Sequence, residues 1–347
     1  MVFSFKNKKI ILKMENSGMI FYGEASKGFI VKVMIDTLCG SLQRGNFSID
    51  KTGVRLRQSD PGCTILYDID LPRKNFKGFK CQRPMVISVN LKHMQGLLRN
   101  VKKKDSIAMF IDKNHPEKFF ITIRPEGNRR NTRFETNSIV YQEEKDFVFQ
   151  DLPEGHYGFP MVIEAADFQK IKRLTTIGKM INVIIQKDNY LSFKCDAGVI
   201  YDSNLGFGEL QTSTNERCEC EEGTEPEDCY CCCEICNEYL CDCYCECEIC
   251  NEYLCNCSCG SEDKVFAAQY YSHMLTKLVK LPGLCTQMQF YAPNIHRFPL
   301  KIEVNAGQGG FTFGTIRVFI KDVEQISQEE SMKNEDEMVK TIKTKKN

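Results

Sequence analysis

The run Val86-Ile-Ser-Val-Asn-Leu-Lys-His-Met-Gln-Gly-Leu-Leu-Arg-Asn-Val-Lys102 changes its hydrophobic period halfway along. Val86–Val89 reads as a short strand rich in β-branched residues. From Asn90 onward the apolar positions fall at Leu91, Met94, Leu97, Leu98 and Val101, the spacing of one helix face. Asn90 stands where an N-cap side chain accepts a free N–H of the first turn. The opposite stripe is Lys92, Gln95, Arg99 and Lys102. The expected unit is a strand that runs into a helix over Asn90–Lys102, apolar on one side and cationic on the other.

The unit recurs. Met161–Glu164 reads as a strand leading into a helix over Ala165–Leu174, with Phe168, Ile171 and Leu174 inward and Lys170 and Arg173 outward. Two more helices are expected over Gly28–Leu42, which carries Lys32, and over Val265–Lys280, where Tyr270, His273, Lys277 and Lys280 form the polar stripe. Strands in the first half are read at Phe47–Asp50, Val54–Gln58, Thr64–Leu71, Lys77–Cys81, Ser106–Asp112 and Lys118–Arg124. In the second half they are read at Ile181–Gln186, Leu191–Cys195, Phe207–Thr212, Gln287–Tyr291, Leu300–Val304, Gly310–Phe313 and Thr315–Ile320. Each half thus has two helices and about eight strands. The expected class is α+β: two similar domains of antiparallel sheet, each covered on one face by two helices.

The charge is less ordinary than it looks. The 347 residues carry 46 basic and 46 acidic side chains, a formal net charge of zero. Residues 216–263 hold 15 acidic residues against the single Arg217, which is 1 − 15 = −14. The remainder is 45 − 31 = +14. A basic body points to an anionic partner, most often nucleic acid, although a basic surface also serves plain solubility. Helices sharing one sign of charge in equivalent places favour the first reading. Without interleaved stacking aromatics or a base-reading motif, the pattern suits a surface that faces duplex phosphates and does not read sequence. No run of about 18 apolar residues occurs, so no membrane helix and no membrane partner is expected.

The division expected along the chain is an extension over 1–19, a first domain over 20–126 and a connector over 127–156. A second domain covers 157–326, interrupted by an insertion over 216–263, and a disordered charged tail follows over 327–347. The connector carries Ile139, Val140, Phe147 and Phe149, large apolar residues that a solvated linker does not need. They serve either a strand packed on its own domain or the lining of a partner groove.

Several stretches resemble the proliferating-cell-nuclear-antigen family of DNA sliding clamps, in a divergent, viral-type form. They are Asp50-Lys-Thr-Gly-Val-Arg-Leu-Arg-Gln-Ser-Asp60, Phe79-Lys-Cys-Gln-Arg83, Ser88-Val-Asn-Leu-Lys-His-Met94, Asp167-Phe-Gln-Lys-Ile-Lys-Arg-Leu174 with Ile177-Gly178, and Phe298-Pro-Leu-Lys-Ile-Glu303. Each is modest alone; their order along residues 20–212 and 264–323 carries the resemblance. It implies two similar domains per chain and three chains closed head to tail into a ring around duplex DNA. It implies non-enzymatic tethering of DNA polymerase, with a clamp loader and other peptide-motif proteins as further partners. By position, Lys32, Arg99, Lys170 and Arg173 match family basic sites, with Lys92, Lys102, Lys277 and Lys280 as further DNA-facing cations. The family's subunit contact would fall on Phe119, Ile121 and Ile123 of one edge strand and on Phe207 and Leu210 of another. Its peptide groove would involve Ser59, Asp60, Ile139, Val140, Phe147, Phe149 and Pro299. The setting implied is intracellular, in the nucleus or at a viral replication site.

Fifteen of the 20 cysteines lie between Cys218 and Cys259. Cys233-x2-Cys236-x4-Cys241-x-Cys243 repeats 14 residues on as Cys247-x2-Cys250-x4-Cys255-x-Cys257. Four such thiolates can complete a tetrahedral zinc shell, so zinc is a candidate ligand here, while the clamp function needs no cofactor. A slipped repeat with free thiols, or disulfides, gives the same spacing. Cys39, Cys63, Cys81, Cys195 and Cys285 are scattered singly, as buried thiols are in a reducing compartment. No histidine pairs with a plausible nucleophile, so no enzyme is expected. The competing readings are a monomeric clamp-fold DNA-binding factor and a metal-binding or redox-regulated protein on a clamp scaffold.

Overall fold

Along Ile65–Pro72 the buried side chains Ile65, Tyr67, Ile69 and Leu71 alternate with the more accessible Leu66, Asp70 and Pro72. A period of two fixes one face of this strand on the core. The same logic orders most of the molecule. The computed structural model describes residues 18–125, 135–145, 147–153, 157–186, 190–196, 202–208, 265–294 and 298–332.

The first half contains β1 (Met19–Ala25), α1 (Gly28–Leu38), β2 (Arg44–Ile49), β3 (Gly53–Ser59), β4 (Ile65–Pro72), β5 (Gly78–Cys81), β6 (Met85–Asn90), α2 (Leu91–Leu98), β7 (Ser106–Asp112) and β8 (His115–Arg124). β9 (Glu135–Val140) and β10 (Gln142–Glu143) follow. The second half contains β11 (Met161–Glu164), α3 (Ala165–Phe168), α4 (Ile171–Ile177), β12 (Met180–Gln186), β13 (Tyr190–Asp196), β14 (Asp202–Phe207), β15 (Val265–Tyr271), α5 (Ser272–Leu278), β16 (Gln287–Tyr291), β17 (Leu300–Gln308) and β18 (Phe311–Ile320). A last helix, α6, covers residues 323–332.

These strands form three antiparallel sheets. Their orders are β5-β1-β7-β8-β9, β10-β6-β2-β3-β4-β18-β17-β16-β11 and β14-β13-β12-β15. The nine-stranded sheet joins the halves through β4 and β18, in register from Ile65↔Ile320 to Asp70↔Thr315. Gly314 makes that junction fit, because a Cβ there would lie 2.4 Å from the Asp70 carbonyl. The helices form a contiguous row: α2 touches α1, α1 touches the 3-10 turn Leu281–Leu284 that follows α5, and α5 touches α4. Gly28 opens α1 against β7, where its N–H donates to Asp105 O at 2.8 Å and a Cβ would meet Ile107 at 2.5 Å. The Asn90 cap forms as expected, Oδ1 accepting from His93 N–H at 3.0 Å.

Four expectations change. Val265–Tyr271 is strand, not helix: its Val, Phe and Tyr suit a pleated surface, and Phe266 and Tyr270 are buried where it pairs with β12. The expected helix over Ala165–Leu174 is broken into α3 and α4. The stretch read as a connector contributes β9, which pairs with β8 from Lys118↔Val140 to Ile123↔Glu135. The tail expected to be disordered begins as α6, held by Asp322 Oδ1 accepting from Gln325 N–H at 2.8 Å and by the Gln325 amide on Phe298 O at 2.9 Å. The insertion over 216–263, with Cys233, Cys236, Cys241, Cys243, Cys247, Cys250, Cys255 and Cys257, lies outside the described residues, as does Leu210.

Candidate nucleic-acid interface and connector groove

The helix row carries the cations that the sequence pattern singles out. Lys92, Arg99, Lys102, Lys170, Arg173 and Lys280 are exposed, and Lys32 is half-buried. Lys32 Nζ donates to Arg99 O at 2.9 Å and so ties α1 to the end of α2. Lys280 Nζ reaches Asp36 O at 3.3 Å, which ties the end of α5 to α1. Lys170 pairs with Asp167 at 2.6 Å, but both are exposed, so solvent screens the contact. Arg173 has no acidic partner among the described residues. Sequence reasoning passes over Lys172 and Lys179, which are exposed in and just after α4. The crowded Lys170-Ile-Lys-Arg173 run is the available signal.

Lys277 departs from this set. Its ammonium meets Asp60 Oδ2 at 3.3 Å. Asp60 is 5% exposed and also accepts from the N–H groups of Thr64 and Ile65 and from the Thr64 hydroxyl, at 2.7, 3.0 and 3.0 Å. Burial alone would raise its pKa. The Ile65 and Thr64 hydrogen bonds and the Lys277 charge outweigh that and hold the carboxyl below its usual range. Asp60 is therefore buried and organises the β3–β4 turn. Lys277 serves it from the second half.

The outer face of the nine-stranded sheet carries aligned rows across its strands. One row runs Arg57–Asp68–Arg317–Glu303, every neighbour in register. Its contacts are 2.9 Å from Arg57 Nε to Asp68, 3.0 Å from Arg317 to Asp68 and 3.1 Å from Arg317 Nε to Glu303. The adjacent row is Ser59–Leu66–Phe319–Lys301. The connector lies against the first end of both rows: Gln150 Oε1 accepts from Ser59 N–H at 2.9 Å and Gln150 O from Arg57 at 3.2 Å. Phe149 sits beneath Arg55 and Arg57 and meets Phe147 edge-on at 5.3 Å. At the other end Tyr157 donates to Pro299 O at 3.0 Å and its ring lies 6.4 Å from Phe319. Between these walls lie the half-buried Leu66 and the buried Phe319, which sequence reasoning does not name, while Pro299 itself is buried. The alternation of β4 is the signal for Leu66, whose neighbours Ile65 and Tyr67 take the core side.

Ile139 and Val140 do not join this groove. They lie in β9, Ile139 buried and Val140 68% exposed. The edge strands also differ from expectation. Phe119, Ile121 and Ile123 are buried in β8, which has partners on both sides, β7 and β9. The edges of that sheet are β5 and β9. β14 (Asp202–Phe207) is an edge of the four-stranded sheet, and it ends at Phe207, where the expected strand Phe207–Thr212 was to begin. Ile177 and Met180, on the second half, are exposed apolar residues.

Among the described residues no group of three His, Cys, Asp or Glu is placed to hold a metal ion. Burial pushes the thiols of Cys39 and Cys285 up to about 11 and about 12. Cys195 is buried, while Cys63 is exposed and takes a positive φ of 55°.

The family model described as "Proliferating cell nuclear antigen, N-terminal domain" matches residues 20–146. The chain is 26% identical over 215 residues to the probable DNA polymerase sliding clamp 1 of Paramecium bursaria Chlorella virus 1, covering 62% of this chain and 80% of that one. It is 27% identical over 120 residues to the DNA polymerase sliding clamp of Pyrococcus furiosus, covering 35% of this chain and less than half, 46%, of that one. The crystal structure of the proliferating cellular nuclear antigen from Entamoeba histolytica shares the fold, with a TM-score of 0.61 at 11% identity, over 88% of this chain and 99% of that one. Residues 20–146 thus match the N-terminal domain of the proliferating-cell-nuclear-antigen family, and the chain is similar to DNA sliding clamps that include a viral one.

Proposed function

We propose that the chain is a DNA polymerase sliding clamp: a non-enzymatic ring that encircles duplex DNA and tethers polymerase to it. The observation that carries this reading is the pairing of one cation-bearing helix row with two unpaired strand edges, β9 and β14, on different sheets. A strand edge seeks a partner. Adding β14 of one chain to β9 of the next makes a heterologous contact, which gives a ring when the rotation per subunit closes. Val140 on β9, and Ile177 and Met180 in the second half, supply exposed apolar area for such a contact. Within the ring Lys32, Lys92, Arg99, Lys102, Lys170, Arg173 and Lys280 meet phosphates without reading bases. The surface along the connector, with Ser59, Phe147 and Phe149, receives a peptide segment of polymerase, clamp loader or other partners. Replicating DNA in the nucleus or at a viral replication site is the setting.

The test is solution mass by light scattering, followed by primer extension on a closed circular template. A mass near three times 39.9 kDa and stimulated extension support the ring. A monomer at micromolar concentration overturns it in favour of a factor that holds DNA by charge alone.

The clamp reading needs no cofactor. The two Cys-x2-Cys-x4-Cys-x-Cys units support a separate reading, zinc bound within the insertion. Metal analysis of purified protein decides it: stoichiometric zinc supports the reading and metal-free protein ends it.

A further inference from the structure

A cleft of about 570 Å³ opens where the β2–β3 turn, the end of β4 and the start of β5 meet. Lys51, Arg73, Lys74 and Lys77 line it, with Phe76 and Phe79, and no acidic residue does. It shares no lining residue with the helix row or the connector groove. We propose that this cleft is a second nucleic-acid contact, which binds backbone phosphates of a single strand on the outside of the clamp.

The charge is uncommitted. Lys51, Arg73 and Lys74 are exposed and have no acidic partner among the described residues. The two nearby carboxylates are engaged elsewhere. Asp50 is held by Arg55 at 2.5 Å and by the Thr52 N–H at 2.6 Å. Glu24, 4% exposed, is shared between Lys77 at 3.0 Å and Arg124 at 3.6 Å, and accepts from the Tyr22 hydroxyl at 2.7 Å. Like charges gathered without counter-charge cost free energy, which an arriving anion relieves. The loops are held in place: Arg73 N–H donates to Thr52 O at 2.7 Å, Lys77 N–H to Glu24 O at 2.8 Å, and the Asn75 amide to Phe313 O at 3.0 Å. The cations are therefore presented on a fixed frame.

The cations suit a run of backbone phosphates. Three of the four cations are lysines, strongly hydrated point charges that suit sequence-independent contact with phosphates. Its aromatic lining is the buried Phe76 and the half-buried Phe79.

The test uses the full-length protein and a short fluorescein-labelled oligothymidylate, with binding followed by anisotropy from about 50 to about 200 mM salt. The triple variant Lys51→Glu/Arg73→Glu/Lys74→Glu should keep its oligomeric mass and unfolding temperature. Its log–log salt slope should fall by about 2, at roughly 0.7 for each phosphate no longer neutralised on a single strand. A neutral Gln triple at the same positions guards against repulsion as the cause and should also lose slope. A control triple, Lys113→Glu/Lys118→Glu/Lys145→Glu, makes the same change in net charge elsewhere and should lose far less. An unchanged slope in the cleft variants, or an equal loss in the control, overturns the site. Polyglutamate of equal charge that binds as tightly, with the same sensitivity to the triple variant, overturns the nucleic-acid assignment. None of these outcomes depends on ring closure, so the site and the clamp reading fail separately.

Discussion

Arg317 on β18 and Asp68 on β4 meet at 3.0 Å across the strand pair that, among the described residues, joins the two halves. Asp68 also receives Arg57 from β3, and Arg317 also holds Glu303 on β17, so four strands are tied through two residues. Asp68 is 6% exposed, and a carboxylate there depends on its donors. Arg317→Leu leaves Asp68 with one partner and removes one from Glu303. The expected cost is about 1–3 kcal/mol, seen as a lower midpoint in chemical denaturation. A wild-type midpoint would mean that the row is decorative.

Val140 and Ile121 separate the edge of the five-stranded sheet from its interior. Ile121 is 1% exposed within β8, so Ile121→Ala should cost about 2–5 kcal/mol of stability in the folded chain. Val140 stands exposed on β9, so Val140→Asp should leave each chain folded but shift the light-scattering mass towards monomer. If Ile121→Ala weakened association without touching stability, β8 and not β9 would be the contact strand.

Asp60 predicts a pH signature. Its carboxyl titrates below its ordinary value of 3.8 in the folded chain. Such a group stabilises the fold at pH values above that ordinary value. The contribution drains away as pH falls through the lower, folded-state value, because the unfolded chain then binds the proton more readily. Asp60→Asn should therefore be less stable than the parent at neutral pH. The gap should close in acid, below about pH 4. A gap that stayed constant down to pH 2 would place the Asn effect in packing and not in charge.

The parts of the fold legible in the sequence are those where period and burial agree. β7 and β11 match their expected limits, and α2 starts at its expected cap, because alternation, helical spacing and Asn90 are local signals. β15 escapes a local reading because Gln269-Tyr-Tyr-Ser-His-Met-Leu carries helical spacing into a segment whose fate is set by a distant partner, β12. The true edge strand is hidden for a related reason. β8 is as apolar as an interface strand, and only the return of β9 through a stretch read as connector covers it. The cationic row is readable as stripes. The diversion of Lys277 to Asp60 is not, because those residues lie in different halves and nothing local links them. Leu66 and Phe319 face each other across the β4–β18 junction, a pairing that no single segment encodes.

The cations left exposed on the helix row should divide cleanly from Lys277 in a DNA assay. Arg99→Glu and Arg173→Glu each remove a cation with no acidic partner among the described residues. On closed circular duplex each should weaken retention and lower the salt slope by about 0.9 for every phosphate no longer neutralised. Retention should return towards the parent value with Lys at either position, since binding of this kind to phosphate needs charge more than shape. Lys277→Met removes a charge that is already spent on Asp60. It should lower stability, because Asp60 then keeps only its hydrogen bonds, and leave the slope unchanged. A slope that fell as far for Lys277→Met as for Arg99→Glu would show that the Asp60 ion pair opens when DNA arrives, and that Lys277 belongs to the interface after all.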